Sequence, residues 1–330
     1  MSLSENVIIS VDAMGGDNAP QAVLEGVAAA LAEDESLEII LTGPDDVVTP
    51  FAAAHPRCTA QPTTQLIDMA EHPADAVRRK KDSSLVVGCR LVKEGKAQGF
   101  FSAGSTGAVL AAATLVIGRI KGVTRPALCS VIPSPVKPVV MADIGANADC
   151  KPEYLVQFAH MASIYAEKII GIDNPRVALL NIGEEDTKGN KFSQDAFALL
   201  KEQVPNFVGN GEGRDVIMAG FDVFVCDGFT GNVVIKTIEG TSKGLFGALK
   251  NVMMKNLFTK IAALVIKPGL KELKDSVSPD TYGGAPLLGI KGACIVGHGS
   301  SSAFAVKNGI HTTARIARLH VADLIAEAVA

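Results

Sequence analysis

Short apolar runs closed by glycine and acidic residues recur along the chain, and between them apolar positions return every three or four residues. The runs Val7–Val11, Leu37–Leu41, Gly99–Ser102, Leu128–Ile132, Val139–Asp143, Val177–Ile182, Val223–Cys226 and Cys294–Val296 predict strands. Each is too short for a helix and apolar at consecutive positions, the pattern of a strand covered on both faces. The periodic stretches predict helices over Ala22–Ala32, Ser84–Glu94, Gly107–Ile117, Pro152–Ile170, Asp195–Gln203 and Ala303–Val329. This alternation predicts an α/β fold, a mostly parallel sheet with helices on both faces, three-layer and Rossmann-like. With no internal repeat or low-complexity linker, one large domain over residues 1–330 is expected.

The chemistry-bearing residues gather where these strands end. The tags are "DAMGGD", "SAGSTGA", "DIGANAD", "NIGEEDTKG", "CDGFTGN" and "GHGSSSA". Loops after parallel strands leave a sheet on one edge, so six tags predict a shared cleft. In the first, Gly15 and Gly16 let a ligand approach the backbone, Asp12 and Asp17 fix the loop, and Asn18 stands where a helix cap belongs. In the second, Ser105 and Thr106 precede Gly107 at a helix start, where free N–H groups and hydroxyls attract phosphate. Arg78, Arg79, Lys80 and Lys81 form a basic run that draws an anion or an acidic protein. Glu184, Glu185 and Asp186 beside Lys188, and Asp227 with Asn232, fit a metal site, acid–base work or simple orientation of the cations. His298 is either an oxyanion donor or a structural turn residue.

Several classes are excluded. "GHGSSSA" has Ser302 where a dinucleotide fingerprint needs its third glycine, and no strand follows to supply a ribose-binding acid. There is no GxxxxGK[ST] loop and no GxSxG elbow, which removes the usual nucleotide and acyl-serine signatures. A bound phosphate needs no such elbow to attack a thioester itself. The net charge of −4 gives no case for nucleic acid. Six cysteines without a CxxC pair point to reduced core thiols, not metal or disulfides. No signal peptide and no apolar run long enough to span a bilayer are seen, so a cytoplasmic protein is expected.

One segment departs from the rest. Gly240–Lys271 carries six lysines and no acid. Leu245, Phe246, Leu249, Val252 and Met253 share one helical face, and Leu257, Phe258, Ile261, Leu264 and Val265 share another. Two amphipathic helices with a break near Lys255, ended by Pro268-Gly269, form a tip over about residues 240–275. Its alternatives are a helical pair in a dimer interface or a membrane-surface tip, with Lys250, Lys255 and Lys260 facing anionic lipid.

In order along nearly the whole chain, "SVDAMGGDNAP", "RRKKDSS", "SAGSTGA", "DIGANADC", "LLNIGEEDTKG", "GNGEGRD", "VCDGFTGNVVIKTIEG" and "YGGAPLLGIKG" followed by "GHGSS" resemble the PlsX family of bacterial phosphate acyltransferases. Ser105 stands where the family pattern has Asn, and it keeps a donor and an acceptor. The resemblance implies transfer of an acyl group from acyl carrier protein to inorganic phosphate, feeding phospholipid synthesis. It implies a fold similar to phosphotransacetylases and to isocitrate and isopropylmalate dehydrogenases, a homodimer and peripheral membrane association. In that scheme Ser105, Thr106, Gly107, Asn147 and Arg79 bind phosphate, and Lys188, Asn232 and His298 serve catalysis. Arg78, Lys80 and Lys81 dock the carrier, Leu249, Val252, Leu257 and Ile261 enter the membrane boundary, and no cofactor or metal is needed. The competing readings are a carrier-binding membrane scaffold without turnover and an NAD-linked dehydrogenase on a related fold.

Overall fold

In the first strand, Val7, Ile9 and Val11 pack into one hydrophobic core and Ile8 against a second. Successive side chains of a strand point to opposite faces, so a strand apolar at every position requires cover on both. The computed structural model describes residues 5–276 and 278–329; residues 1–4, 277 and 330 of the expected 1–330 domain lie outside the described residues. The strands are Val7–Asp12 (β1), Leu37–Gly43 (β2), Cys58–Pro62 (β3), Gly99–Ser102 (β4), Ala127–Ile132 (β5), Val139–Ala142 (β6), Val177–Asn181 (β7), Phe207–Glu212 (β8), Val223–Val225 (β9), Ala285–Leu288 (β10) and Ala293–Val296 (β11). The helices are Gln21–Glu33 (α1), Asp45–Ala54 (α2), Pro73–Arg79 (α3), Ser84–Lys93 (α4), Thr106–Ala112 (α5), Pro152–Tyr165 (α6), Lys191–Gln203 (α7), Gly213–Met218 (α8), Gly228–Met253 (α9), Leu257–Ser276 (α10), Ala303–Arg318 (α11) and Val321–Ala328 (α12). Residues of α1, α6, α7, α11 and α12 fill one core, and residues of α3, α4, α5 and α8 fill the other. The three-layer α/β arrangement follows.

Among the described residues the sheet has 11 strands in the order β3-β2-β1-β4-β11-β10-β5-β6-β9-β7-β8. β1 to β4 and β11 run parallel, as do β6 to β9. Between these blocks β10 is antiparallel to both β11 and β5, and β5 is antiparallel to β6. Three reversals leave the two blocks pointing in opposite directions. The expectation that six loops share one sheet edge is therefore corrected. The loops after β1, β4 and β11 leave at one edge, and those after β6, β7 and β9 at the other.

Several element boundaries also differ from the sequence expectation. β3 (CTAQP) and β8 (FVGNGE) have too few apolar or β-branched residues to stand out, and β10 (APLL), though apolar, is short, holds a proline and has no β-branched residue. α7 begins at Lys191 because the Asn190 side chain accepts from the Ser193 N–H at 2.9 Å. The C-terminal helix divides at His320, whose φ of 49° breaks the helical run. In the tip the break falls between Met253 and Leu257, as expected, but Pro268 does not end α10, which passes through it to Ser276. The cysteines are free, and all but half-buried Cys150 are buried.

Directly after β6, the buried carboxyl of Asp143 organises the turn between the two halves. Its Oδ1 accepts from the N–H groups of Leu128 at 3.0 Å, Gly145 at 3.1 Å and Ala146 at 3.0 Å. Its Oδ2 accepts from the Asn147 N–H at 2.7 Å and the Asn147 amide at 2.9 Å. Burial pushes this carboxyl above its ordinary range, and the donors pull against that rise. The first turn of α9 rests on the same point: a Cβ at Gly231 would stand 1.9 Å from the Asp143 carbonyl oxygen. Asp143→Asn turns one acceptor into a donor facing N–H groups. It is expected to lower stability by about 1–3 kcal/mol, read from urea unfolding; an unchanged midpoint would show that water can replace the lost acceptor.

Candidate active site

Three loops meet at the carboxyl ends of the neighbouring strands β1, β4 and β11. Asp12, buried at the end of β1, accepts from the Ser102 hydroxyl at 2.8 Å and the Met14 N–H at 3.1 Å. Burial raises its carboxyl from the usual range, and hydrogen bonds from Ser84, Ser102 and Met14 oppose this. Ser102 Oγ in turn accepts from the Gly104 N–H at 3.0 Å, so one carboxylate braces the β4 loop. Gly15 is required for this contact, since a Cβ there would lie 2.7 Å from the Gly104 nitrogen. Gly16, at a φ of 101°, turns the chain toward the β11 loop, where the Asp17 N–H donates to Gly299 O at 2.7 Å. Asn18 does not cap α1. Its amide crosses to the carbonyls of Ser300 at 3.3 Å and Ser301 at 3.2 Å.

Ser105 occupies the cap position of α5 without making a side-chain cap bond, and α5 continues through a π-type turn to Ile117. Among the described residues, the hydroxyls of half-buried Ser105 and exposed Thr106 have no hydrogen-bond partner. α3 packs closely on this helix start: a Cβ at Gly107 would meet Pro73 at 2.6 Å. That contact brings the basic run alongside. Arg79 is exposed and its Nε donates to Asp75 O at 3.4 Å; Arg78 and Lys81 are also exposed. Lys80 is not free for a partner, because its ammonium donates to Leu66 O at 2.7 Å and pairs with Glu71. On the β11 loop, exposed His298 has Nδ1 2.9 Å from the Ser300 hydroxyl and 3.2 Å from the Ser300 N–H.

The remaining candidates lie at the other sheet edge. Asn147 is corrected as a phosphate donor: its amide donates to Pro126 O at 2.8 Å and to Asp143, so it shapes the loop. Asp227 caps α9, accepting from the Thr230 N–H at 2.9 Å and the Thr230 hydroxyl at 2.7 Å. That commits it to structure. Asn232, exposed in the second turn of α9, has its Oδ1 3.8 Å from the place a Gly145 Cβ would take. Lys188 is exposed, with its ammonium 3.6 Å from Glu185. Glu184, Glu212 and Asp215 bring carboxylate oxygens within 4.8 Å of one another, and the Arg214 guanidinium serves Glu184 at 3.2 Å and Glu212 at 2.6 Å.

Sequence reasoning did not single out Ser102 or Asp143, and it read Asn18 only as a helix cap. A signal for Asp143 existed, since "MADIGAN" repeats the form of "SVDAMGG", an acid closing an apolar strand before a glycine turn. Ser102 and Asn18 act across 90 and more than 280 residues of sequence, which no local pattern reveals.

Known proteins share this architecture. A phosphotransacetylase from Streptococcus pyogenes superposes with a TM-score of 0.61 at 18% identity, covering 95% of this chain and 94% of that one. A branched-chain phosphotransacylase from Enterococcus faecalis V583 gives 0.60 at 15% identity, covering 94% and 99%. In sequence, the phosphate acyltransferase of Desulfitobacterium hafniense (strain Y51) is 49% identical over 306 residues, 92% of this chain and 91% of that protein. That of Halothermothrix orenii is 45% identical over 323 residues, 96% and 97% of the two chains. The family model described as "Fatty acid synthesis protein" matches residues 7–324. On that extent of agreement, the chain belongs to the fatty acid synthesis protein family, the PlsX family of phosphate acyltransferases.

Proposed function

We propose that this enzyme moves an acyl group from the thioester of an acyl carrier protein to inorganic phosphate, at the start of α5. The observation that carries the site is the pair of unpartnered hydroxyls, Ser105 and Thr106, with exposed Arg79 on the helix packed against them. Hydrogen phosphate held there attacks the carbonyl carbon through one oxygen. The new C–O bond forms as the C–S bond breaks, and the phosphate proton passes to the departing sulfur, giving acyl phosphate and a free thiol. The carbonyl oxygen gathers negative charge on the way and requires oriented donors. His298, on the neighbouring β11 loop, is the candidate, since Asn232 and Lys188 lie at the other sheet edge of this chain. Carrier docking falls to the exposed Arg78 and Lys81, whose charge complements an acidic partner. Family likeness supports a homodimer.

The tip supports a peripheral position on the inner face of the cell membrane. No helix among the described residues is long and apolar enough to cross a bilayer. Only Gly228 and Gly231, in the first turn of α9, are buried in that helix. Leu257 is 71% exposed, Phe258 85% and Val265 76%, on a segment rich in lysine. An apolar face rimmed by lysines gains from both acyl-boundary burial and anionic headgroups.

Two experiments test these statements. Purified protein given acyl carrier thioester and phosphate should release thiol and form hydroxylamine-trappable acyl phosphate, and thiol release without phosphate dependence would oppose the reading. In the double variant Ser105→Ala, Thr106→Val, the KM for phosphate should rise roughly 10-fold, the scale of one or two lost hydrogen bonds. For the tip, sedimentation with anionic liposomes should show binding that falls with salt. Leu249→Glu with Ile261→Glu should abolish pelleting while leaving turnover and the light-scattering mass unchanged. Loss of dimer mass in that variant would instead assign the tip to a subunit interface.

A further inference from the structure

The β11 loop holds His298 in a way that selects between its two neutral forms. A backbone N–H is a donor only, and the Ser300 N–H lies 3.2 Å from Nδ1 of the ring. The Ser300 hydroxyl, at 2.9 Å, adds a second group on the same nitrogen. An Nδ1 that accepts from an N–H carries no proton, so in the neutral ring the proton sits on Nε2. Ser300 is itself held from outside its loop. Its carbonyl, with that of Ser301, accepts from the Asn18 amide at 3.3 and 3.2 Å. The Asp17 N–H fixes the neighbouring Gly299 carbonyl at 2.7 Å. Asn18 thus reaches the imidazole through one residue, side chain to the Ser300 carbonyl and Ser300 N–H to the ring, while Asp17 holds the other end of the peptide unit that carries that N–H.

We propose that Asn18 and Ser300 are positioning residues that hold His298 as the Nε2–H tautomer, a hydrogen-bond donor toward the thioester carbonyl oxygen as it becomes an oxyanion. The inference rests on the acyl-transfer reading given above. No proton leaves the ring in this role. Nε2–H donates throughout, while the proton balance of the reaction stays with phosphate and thiol. The arrangement also gives the "DNAP" turn a use beyond starting α1, since Asn18 spends its side chain on the His298 loop and not on a cap.

The test has a spectroscopic arm and a kinetic arm. With 15N-labelled imidazole, long-range proton–nitrogen correlation about two pH units above the ordinary histidine value should show His298 as Nε2–H. Asn18→Ala should raise the Nδ1–H fraction. In turnover, His298→Gln can place an amide donor near the Nε2 position and should stay within about 10-fold of wild-type kcat; His298→Asn cannot, and should lose roughly 100-fold. Asn18→Ala should lower kcat about 10-fold with the phosphate KM unchanged. A dominant Nδ1–H form in the wild type overturns the proposal, whether or not any variant folds. Better activity in His298→Asn than in His298→Gln does the same. A folded Asn18→Ala with unaltered tautomer and kcat removes Asn18 from the scheme. Absence of phosphate-dependent turnover in the wild type would sink the acyl-transfer reading instead, and the resonance assignment would still decide the tautomer.

Discussion

Two carboxylates withdrawn from water set the terms for the loops of this protein. Asp12 closes β1 and Asp143 follows β6, and both are buried. A buried carboxylate is costly unless donors surround it, and so close to a strand end the available donors are the N–H groups of the turn itself. The chain therefore folds back on each aspartate before any ligand is considered. At Asp143 this draws in four backbone N–H groups and one amide. At Asp12 it reaches through Ser102 into the next loop. Glycines follow both acids because the returning backbone needs close approach or a positive φ, as Gly16 and Gly145 show.

The antiparallel insertion of β10 and β5 decides which loops can cooperate. On one side of it the loops of β1, β4 and β11 are cross-linked by the β1 turn, which touches both of the others. Ser105, Thr106 and His298 therefore share a common frame. On the other side the Asp143 turn, the α9 cap at Asp227 and the β7 loop hold Asn232 and Lys188. Each face of the sheet carries a buried core that runs across both halves, which is why loops at both edges can be held by stiff scaffolding.

Much of this was legible along the chain, and the rest was hidden for identifiable reasons. Strands such as Val7–Asp12 and Val139–Ala142 announce themselves because burial on both faces demands mostly apolar residues. The edge strands β3 and β8 are covered less completely and carry polar residues and glycine, so they blend into loops. Strand direction was not readable at all: β10 looks like any short apolar run, yet its orientation divides the loops into two groups. Among site residues, Ser105 and Thr106 were visible from glycines around hydroxyls at a helix start. Lys80 and Asn147 looked available by residue type, and only their partners Glu71, Leu66, Pro126 and Asp143 show that they are committed. The tip was legible because lysine spacing and two apolar faces are local properties.

α9 runs unbroken for 26 residues, from its Asp227 cap beside Asn232 to the tip at Met253. At about 1.5 Å of rise per residue it is a strut of about 39 Å. Gly240, Gly244 and Gly247 lie along its outer stretch, and a Cβ at any of them would meet nothing within 4 Å. Such a strut transmits a push along its axis through its hydrogen-bonded turns. Sideways it is unbraced there, because these three residues offer no side chain for a neighbour to pack on, and each glycine weakens a helix interior by roughly 0.5–1 kcal/mol relative to Ala. Whatever the tip rests against therefore stands about one strut length from the Asn232 end of the helix.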